Sequence, residues 1–70
     1  MKVLAVRVRE LRRERKLSQE ELATDSKTTQ STIGRIETAT CNSVESGTLI
    51  KLAEFFGVSI DYLVGLTDEK

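Results

Sequence analysis

The sequence predicts an all-α domain of five short helices, and three observations carry that reading. Leu4, Val8 and Leu11 recur at i, i+4 and i+7, the spacing of one helix face. Helix-starting residues stand ahead of apolar stretches: Ser18 with Glu21 makes an S-x-x-E capping box, and Thr29 and Ser59 can cap two further segments. Between Ser18 and Glu37 (SQEELATDSKTTQSTIGRIE) the helical pattern runs, breaks at Asp25-Ser26-Lys27-Thr28, and resumes.

The first helix is predicted over Val3–Arg15, with Leu17 closing its apolar face after the helix ends. Val3 and Val6 lie off the stripe, either partly exposed or available to a partner. A second helix runs from Gln19 to Thr24 or Asp25 with Leu22 and Ala23 inward, and Glu20 and Glu21 in its first turn suit the positive end of the helix dipole. The third, about 29–38, turns Ile33 and Ile36 inward and Gln30, Ser31, Gly34 and Arg35 outward; Thr32 faces the second helix. Ser43 or Ser46 caps a fourth helix that buries Leu49, Leu52, Ala53 and Phe56 and stops at Gly57. In the fifth, Ile60 and Leu63 are expected to reach the core. Residues 1–66 then form one domain, and 67–70 are expected to be a disordered tail.

Composition narrows the function. A 70-residue domain buries only about 60% of its unfolded surface and gains from a partner subunit. At 39% apolar and 31% charged residues the chain is globular rather than disordered. No apolar run approaches the length of about 18 residues that a membrane span needs, and the basic N-terminus lacks a signal peptide's apolar stretch. A lone cysteine, Cys41, excludes an internal disulfide and suits a cytoplasmic setting; it reads as an exposed thiol, with a redox or interchain role as the alternative. With no histidine, no G-x-S-x-G, no phosphate loop and no Cys/His metal spacing, no enzyme, metal, cofactor or small-molecule ligand is expected.

The formal net charge is zero, but the charges are not evenly spread. Residues 1–16 hold Lys2, Arg7, Arg9, Arg12, Arg13, Arg15 and Lys16 against Glu10 and Glu14, whereas residues 17–70 hold four basic side chains against nine acids. That asymmetry reads either as a solvated arginine-rich helix face or as a phosphate-binding surface.

SQEELA followed by TTQSTIGRIE resembles the helix-turn-helix of the lambdoid phage repressor and Cro family, the XRE-type regulators. VRELRRERKLSQEEL resembles that family's first helix and junction, and LIKLAEFFGVSIDYL its last two helices, so the likeness spans nearly the whole chain. It implies a lambda repressor-like domain whose third helix enters the major groove of double-stranded DNA. It further implies that Arg12 pairs with Glu37, leaving a guanidinium edge near a phosphate, and that Gln19 supports Gln30 while its own helix end clamps a phosphate. Gln30 and Ser31 would approach base edges, Gln30 suiting adenine and Arg35 a guanine or a phosphate. Thr29 could offer a methyl to thymine or a hydroxyl to phosphate. Gly34 either lets the helix seat closely or is neutral, at a cost of about 1 kcal/mol against alanine.

Lys16 and Lys27 stand where the family usually has glycine, so left-handed backbone is expected at both, with about 1 kcal/mol of strain at Lys27 and a turn looser than usual. The loop from Thr38 to Val44 departs further. It lacks the family's cations, so Thr38, Thr40, Asn42 and Ser43 would offer only neutral hydrogen bonds to phosphates. Tyr62, Val64 and Leu66 are the candidates for a homodimer contact, with simple core packing as the alternative.

Two functions follow. One is a repressor-like regulator that binds a palindromic operator as a homodimer. The other is a protein-interaction adaptor or antitoxin-like module on the same fold. The basic charge of the first helix favours the regulator.

Overall fold

The computed structural model describes residues 2–38 and 44–70. Five helices follow one another: α1 (Lys2–Glu14), α2 (Gln19–Asp25), α3 (Gln30–Glu37), α4 (Ser46–Phe56) and α5 (Ile60–Val64). No strand occurs among the described residues. α1 packs against both α3 and α5, α2 lies against α3, and α4 against α5. Leu4, Val8 and Leu11 of α1 meet Leu22, Ala23, Ile33, Ile36, Leu52, Ala53, Phe56 and Leu63 in one core. Leu4, Val8, Leu22, Ile33, Leu52 and Leu63 are sealed from water, and each such side chain contributes about 1.5–3 kcal/mol. Helices this short do not persist alone, so this shared core is what holds them.

Caps set where most helices start. Ser18 Oγ accepts from the Glu21 backbone N–H while the Glu21 carboxylate accepts from the Ser18 N–H, each at 3.0 Å, completing the capping box. Thr29 and Ser59 accept from the N–H groups of Thr32 and Tyr62. The fourth start differs from expectation. Glu45 is its N-cap without a side-chain bond, Ser46 is already helical, and Ser43 lies outside the described residues.

One device ends four of the helices. A residue with positive φ (Lys16, Lys27, Gly57 or Gly65) turns the chain back. The next N–H then reaches a carbonyl five residues earlier: Leu17 to Arg12, Thr28 to Ala23, Val58 to Ala53 and Leu66 to Asp61, at 2.8–3.1 Å. Lysine at φ 57 and φ 61 carries a steric cost of about 1 kcal/mol at each place where glycine would carry none. The turn after α2 is nevertheless tight, not loose. Buried Ser26 donates from Oγ to the Leu22 carbonyl at 2.6 Å and shares a 3.0 Å hydrogen bond with Thr28 Oγ1, which takes the place of apolar packing.

One more expectation needs amending. Ile60 is exposed rather than buried, because α5 has only five residues and Leu63 alone of them sits in the core. Residues 67–70 lie back against the fold: Arg7 donates to the Thr67 carbonyl and to Asp68, and the Ser59 N–H to the Lys70 carbonyl. No helix among the described residues is long and apolar enough to cross a membrane.

Candidate nucleic-acid interface

α3 presents the groups expected to read a ligand. Gln30 and Ser31 are exposed in its first turn, Arg35 is exposed one turn on, and Gly34 is half-buried between them. Ile33 and Ile36, on the opposite side of the same eight-residue helix, are buried, so the core holds the outward row in place. The Thr29 hydroxyl is engaged at the helix start, accepting from the Thr32 N–H and donating to Thr32 Oγ1 at 2.8 Å. Thr38 closes the other end, its hydroxyl donating to the carbonyls of Gly34 and Arg35.

Beneath this helix lies a buried carboxylate. Glu37 is only 3% exposed. Arg12 donates to it in bidentate fashion, Nε to Oε2 at 2.7 Å and Nη2 to Oε1 at 2.9 Å. Arg12 Nη1 donates to the Leu17 carbonyl at 2.8 Å, so all three nitrogens are used in tying α1 to α3. The hydrogen bond to Glu37 raises the Arg12 pKa above its ordinary value, against the opposing effect of burial, so the guanidinium stays charged.

Gln19 departs from the implied arrangement. Its Nε2 donates to Glu37 Oε1 at 3.3 Å rather than bracing Gln30, which lies a full helix length from that carboxylate. Its Oε1 instead lies over Gly34, 3.7 Å from where a Cβ would stand, which is ordinary van der Waals contact. Alanine would therefore fit at Gly34 without displacing anything in the fold.

The arginines near the N-terminus form a pattern that the charge asymmetry alone did not specify. Arg9 donates to the Glu37 carbonyl, the last of α3. Arg15 donates to the Phe56 carbonyl at the end of α4 and lies over the Phe55 and Phe56 rings at 4.9 and 5.4 Å. Arg7 lies 4.1 Å over the Tyr62 ring and donates to the Tyr62 carbonyl at the end of α5. The last carbonyls of a helix lack internal partners and carry the negative end of its dipole, so a guanidinium is well matched to each. The helix face is thus neither simply solvated nor simply a phosphate surface: Arg7, Arg9, Arg12 and Arg15 cap and cross-link other helices. Among the described residues Arg13, Lys2 and Lys16 make no ion pair or side-chain hydrogen bond at that end of the chain.

Lys27 is exposed at the turn between α2 and α3, and Lys51 of α4 donates to its carbonyl at 3.2 Å, placing a second ammonium beside it. Lys51 escaped the sequence reading because its nearness to that turn is purely tertiary. Glu21 at the head of α2 has its pKa lowered, first by the Ser18 backbone hydrogen bond and then by the Ser18 side chain. Asn42, expected to touch phosphate, and Cys41 lie outside the described residues. Of the dimer candidates, Tyr62 and Val64 are half-buried and Leu66 is 77% exposed.

A helix-turn-helix whose second helix turns its first-turn polar side chains outward, and is anchored from below, defines a class of DNA-binding regulators. The helix-turn-helix family model matches residues 8–63, most of the chain, and the chain belongs to this XRE-type family of DNA-binding transcription regulators. Among solved structures, the N-terminal DNA binding domain of SinR from Bacillus subtilis is similar, with a TM-score of 0.85 and 23% sequence identity. The match covers 91% of this chain and 93% of that one, and at that identity it shows the shared fold. No curated protein sequence matches the chain.

Proposed function

We propose that this chain is a non-enzymatic, cytoplasmic repressor that binds a near-palindromic operator in double-stranded DNA as a homodimer, with α3 in the major groove. The observation that carries this is the anchoring of α3: buried Ile33, Ile36 and Glu37 fix the helix while Gln30, Ser31 and Arg35 stay exposed along it. In this reading Gln30 and Ser31 touch base edges and Arg35 a flanking base or phosphate. Lys27, Lys51 and the α2 end bearing Gln19 approach the backbone, with Thr29, Thr38 and Asn42 as neutral contacts and Gly34 admitting close approach. Arg12 acts through Glu37, as a positioning residue. Two copies place their reading helices about 34 Å apart, so half-sites fall about 10 base pairs apart. A bound dimer occludes that stretch of duplex, which is repression in its simplest form. Selection of bound sites from random duplexes tests the proposal: an enriched two-fold site with that spacing supports it, and recovery of no common sequence overturns it.

A second reading, an adaptor or antitoxin-like module, is favoured by one observation. The arginines at 7, 9, 12 and 15 are committed inside the fold, which leaves the reading side less basic. A gel shift with random duplex at low salt separates the two, since any DNA regulator retards non-specific duplex under those conditions.

A further inference from the structure

The outward side of α1, away from the core, carries a feature that the DNA-binding reading leaves unused. Lys2, Val3, Val6, Arg7 and Glu10 line an open groove of about 500 Å³ against Tyr62 of α5. Val3 and Val6 are 45% and 43% exposed, although they share a helix with Leu4, Val8 and Leu11 of the core. The groove's floor is fixed by close packing. At Gly65, just after α5, a Cβ would stand only 2.8 Å from Val3 Cγ1, so the two helices already touch there. Leu66, 77% exposed, is the next residue in the chain.

The order of charges along this ridge is what identifies an occupant. Lys2, Val6 and Glu10 stand at i, i+4 and i+8, one row on the helix surface. At a rise of about 1.5 Å per residue, the cation and the carboxylate each lie about 6 Å from Val6 along the axis, on opposite sides. Neither Lys2 nor Glu10 makes an ion pair or side-chain hydrogen bond among the described residues. A row of positive, apolar and negative groups, evenly spaced about its centre, is complementary to itself when reversed. A two-fold axis through Val6 sets Val6 against its own copy, Lys2 beside the partner's Glu10, and Glu10 beside the partner's Lys2.

We propose that this face binds a second copy of the chain, α1 against α1 in antiparallel sense, with the two-fold axis at Val6. The proposal rests on the homodimer reading above and names its contact: Val3, Val6 and Tyr62 form the apolar centre, and Leu66 borders it. Such isologous contacts close after two copies, so the product is a dimer and not a filament.

Charge reversal tests this without touching the core or α3. Wild type, Glu10→Lys, Lys2→Glu and the doubly exchanged Lys2→Glu/Glu10→Lys variant are compared by sedimentation equilibrium across a concentration series, with helicity checked by circular dichroism. Each single reversal sets like charges together at two places, and the dissociation constant should rise about tenfold. The double exchange restores opposite charges across the axis and should recover wild-type association. A dimeric wild type whose association is unmoved by reversal, or is not rescued by the exchange, overturns this interface and leaves the homodimer standing. A wild type monomeric both free and on its selected operator overturns the homodimer reading, and this interface with it.

Discussion

Replacing Glu37 by alanine should remove a large part of the domain's stability. In the structure its carboxylate is 3% exposed and accepts from Arg12 at 2.7 and 2.9 Å and from Gln19 at 3.3 Å. With the carboxylate gone, the Arg12 side chain, 15% exposed, keeps only the Leu17 carbonyl. Removing one member of a buried ion pair costs about 3–5 kcal/mol, because the other charge is left buried and unpaired. Some water reaches Arg12, so we set the expected loss lower, at about 2–3 kcal/mol. At roughly 0.05–0.15 kcal/mol per residue the whole 70-residue domain has about 4–10 kcal/mol, and the melting temperature should fall by some 10–20 °C. Urea unfolding followed by circular dichroism gives the free energy, and Arg12→Met/Glu37→Met gives the control. Exchanging both partners for apolar groups removes the stranded charge, so the double variant should be markedly more stable than Glu37→Ala. A Glu37→Ala protein within about 0.5 kcal/mol of wild type, the range of ordinary surface changes, would refute the reasoning.

Gln30→Ala should cost about 1–3 kcal/mol on the selected operator and leave binding to scrambled duplex unchanged, read by paired titrations; equal losses on both would make Gln30 a backbone contact. Lys27→Glu and Arg35→Glu should weaken binding to scrambled duplex and flatten its salt dependence, whereas Arg15→Ala should lower the melting temperature and leave that salt dependence unchanged. Gly34→Ala should raise stability by about 0.5–1 kcal/mol, since its Cβ meets nothing closer than Gln19 at 3.7 Å; a loss of operator affinity in the same variant would show that the bare backbone matters for seating in the groove. Glu21 is expected to make stability pH-dependent. Its folded pKa lies below the ordinary value, so its contribution is complete above the ordinary glutamate range and is lost as pH falls through the lowered value. Glu21→Gln keeps a capping side chain that cannot ionise, so the gap in melting temperature between it and wild type should narrow over that acidic window.

The sequence by itself determined the five elements and most of their starts. The capping box at Ser18, the N-caps at Thr29 and Ser59, the stripe Leu4-Val8-Leu11 and the stop at Gly57 each depend on a few adjacent residues, and local geometry is all they need. Left-handed backbone at Lys16 and Lys27 was legible because the resemblance aligned both with glycine. The Arg12–Glu37 pair came from the same source and stands in the structure. Tertiary structure decided where the long side chains go. Arg7, Arg9 and Arg15 find the carbonyls of Tyr62, Glu37 and Phe56, 28 to 55 positions away in the chain, and no pattern around an arginine states which helix end it will meet. Gln19 turns to Glu37 instead of Gln30 because the buried carboxylate has a lone pair left to satisfy within reach. Lys51 comes to the α2–α3 turn by the same logic. Periodicity and caps are short-range and cooperative with the backbone, whereas a guanidinium or amide at the end of a flexible stem takes its partner from whatever polar group the assembled core leaves uncovered.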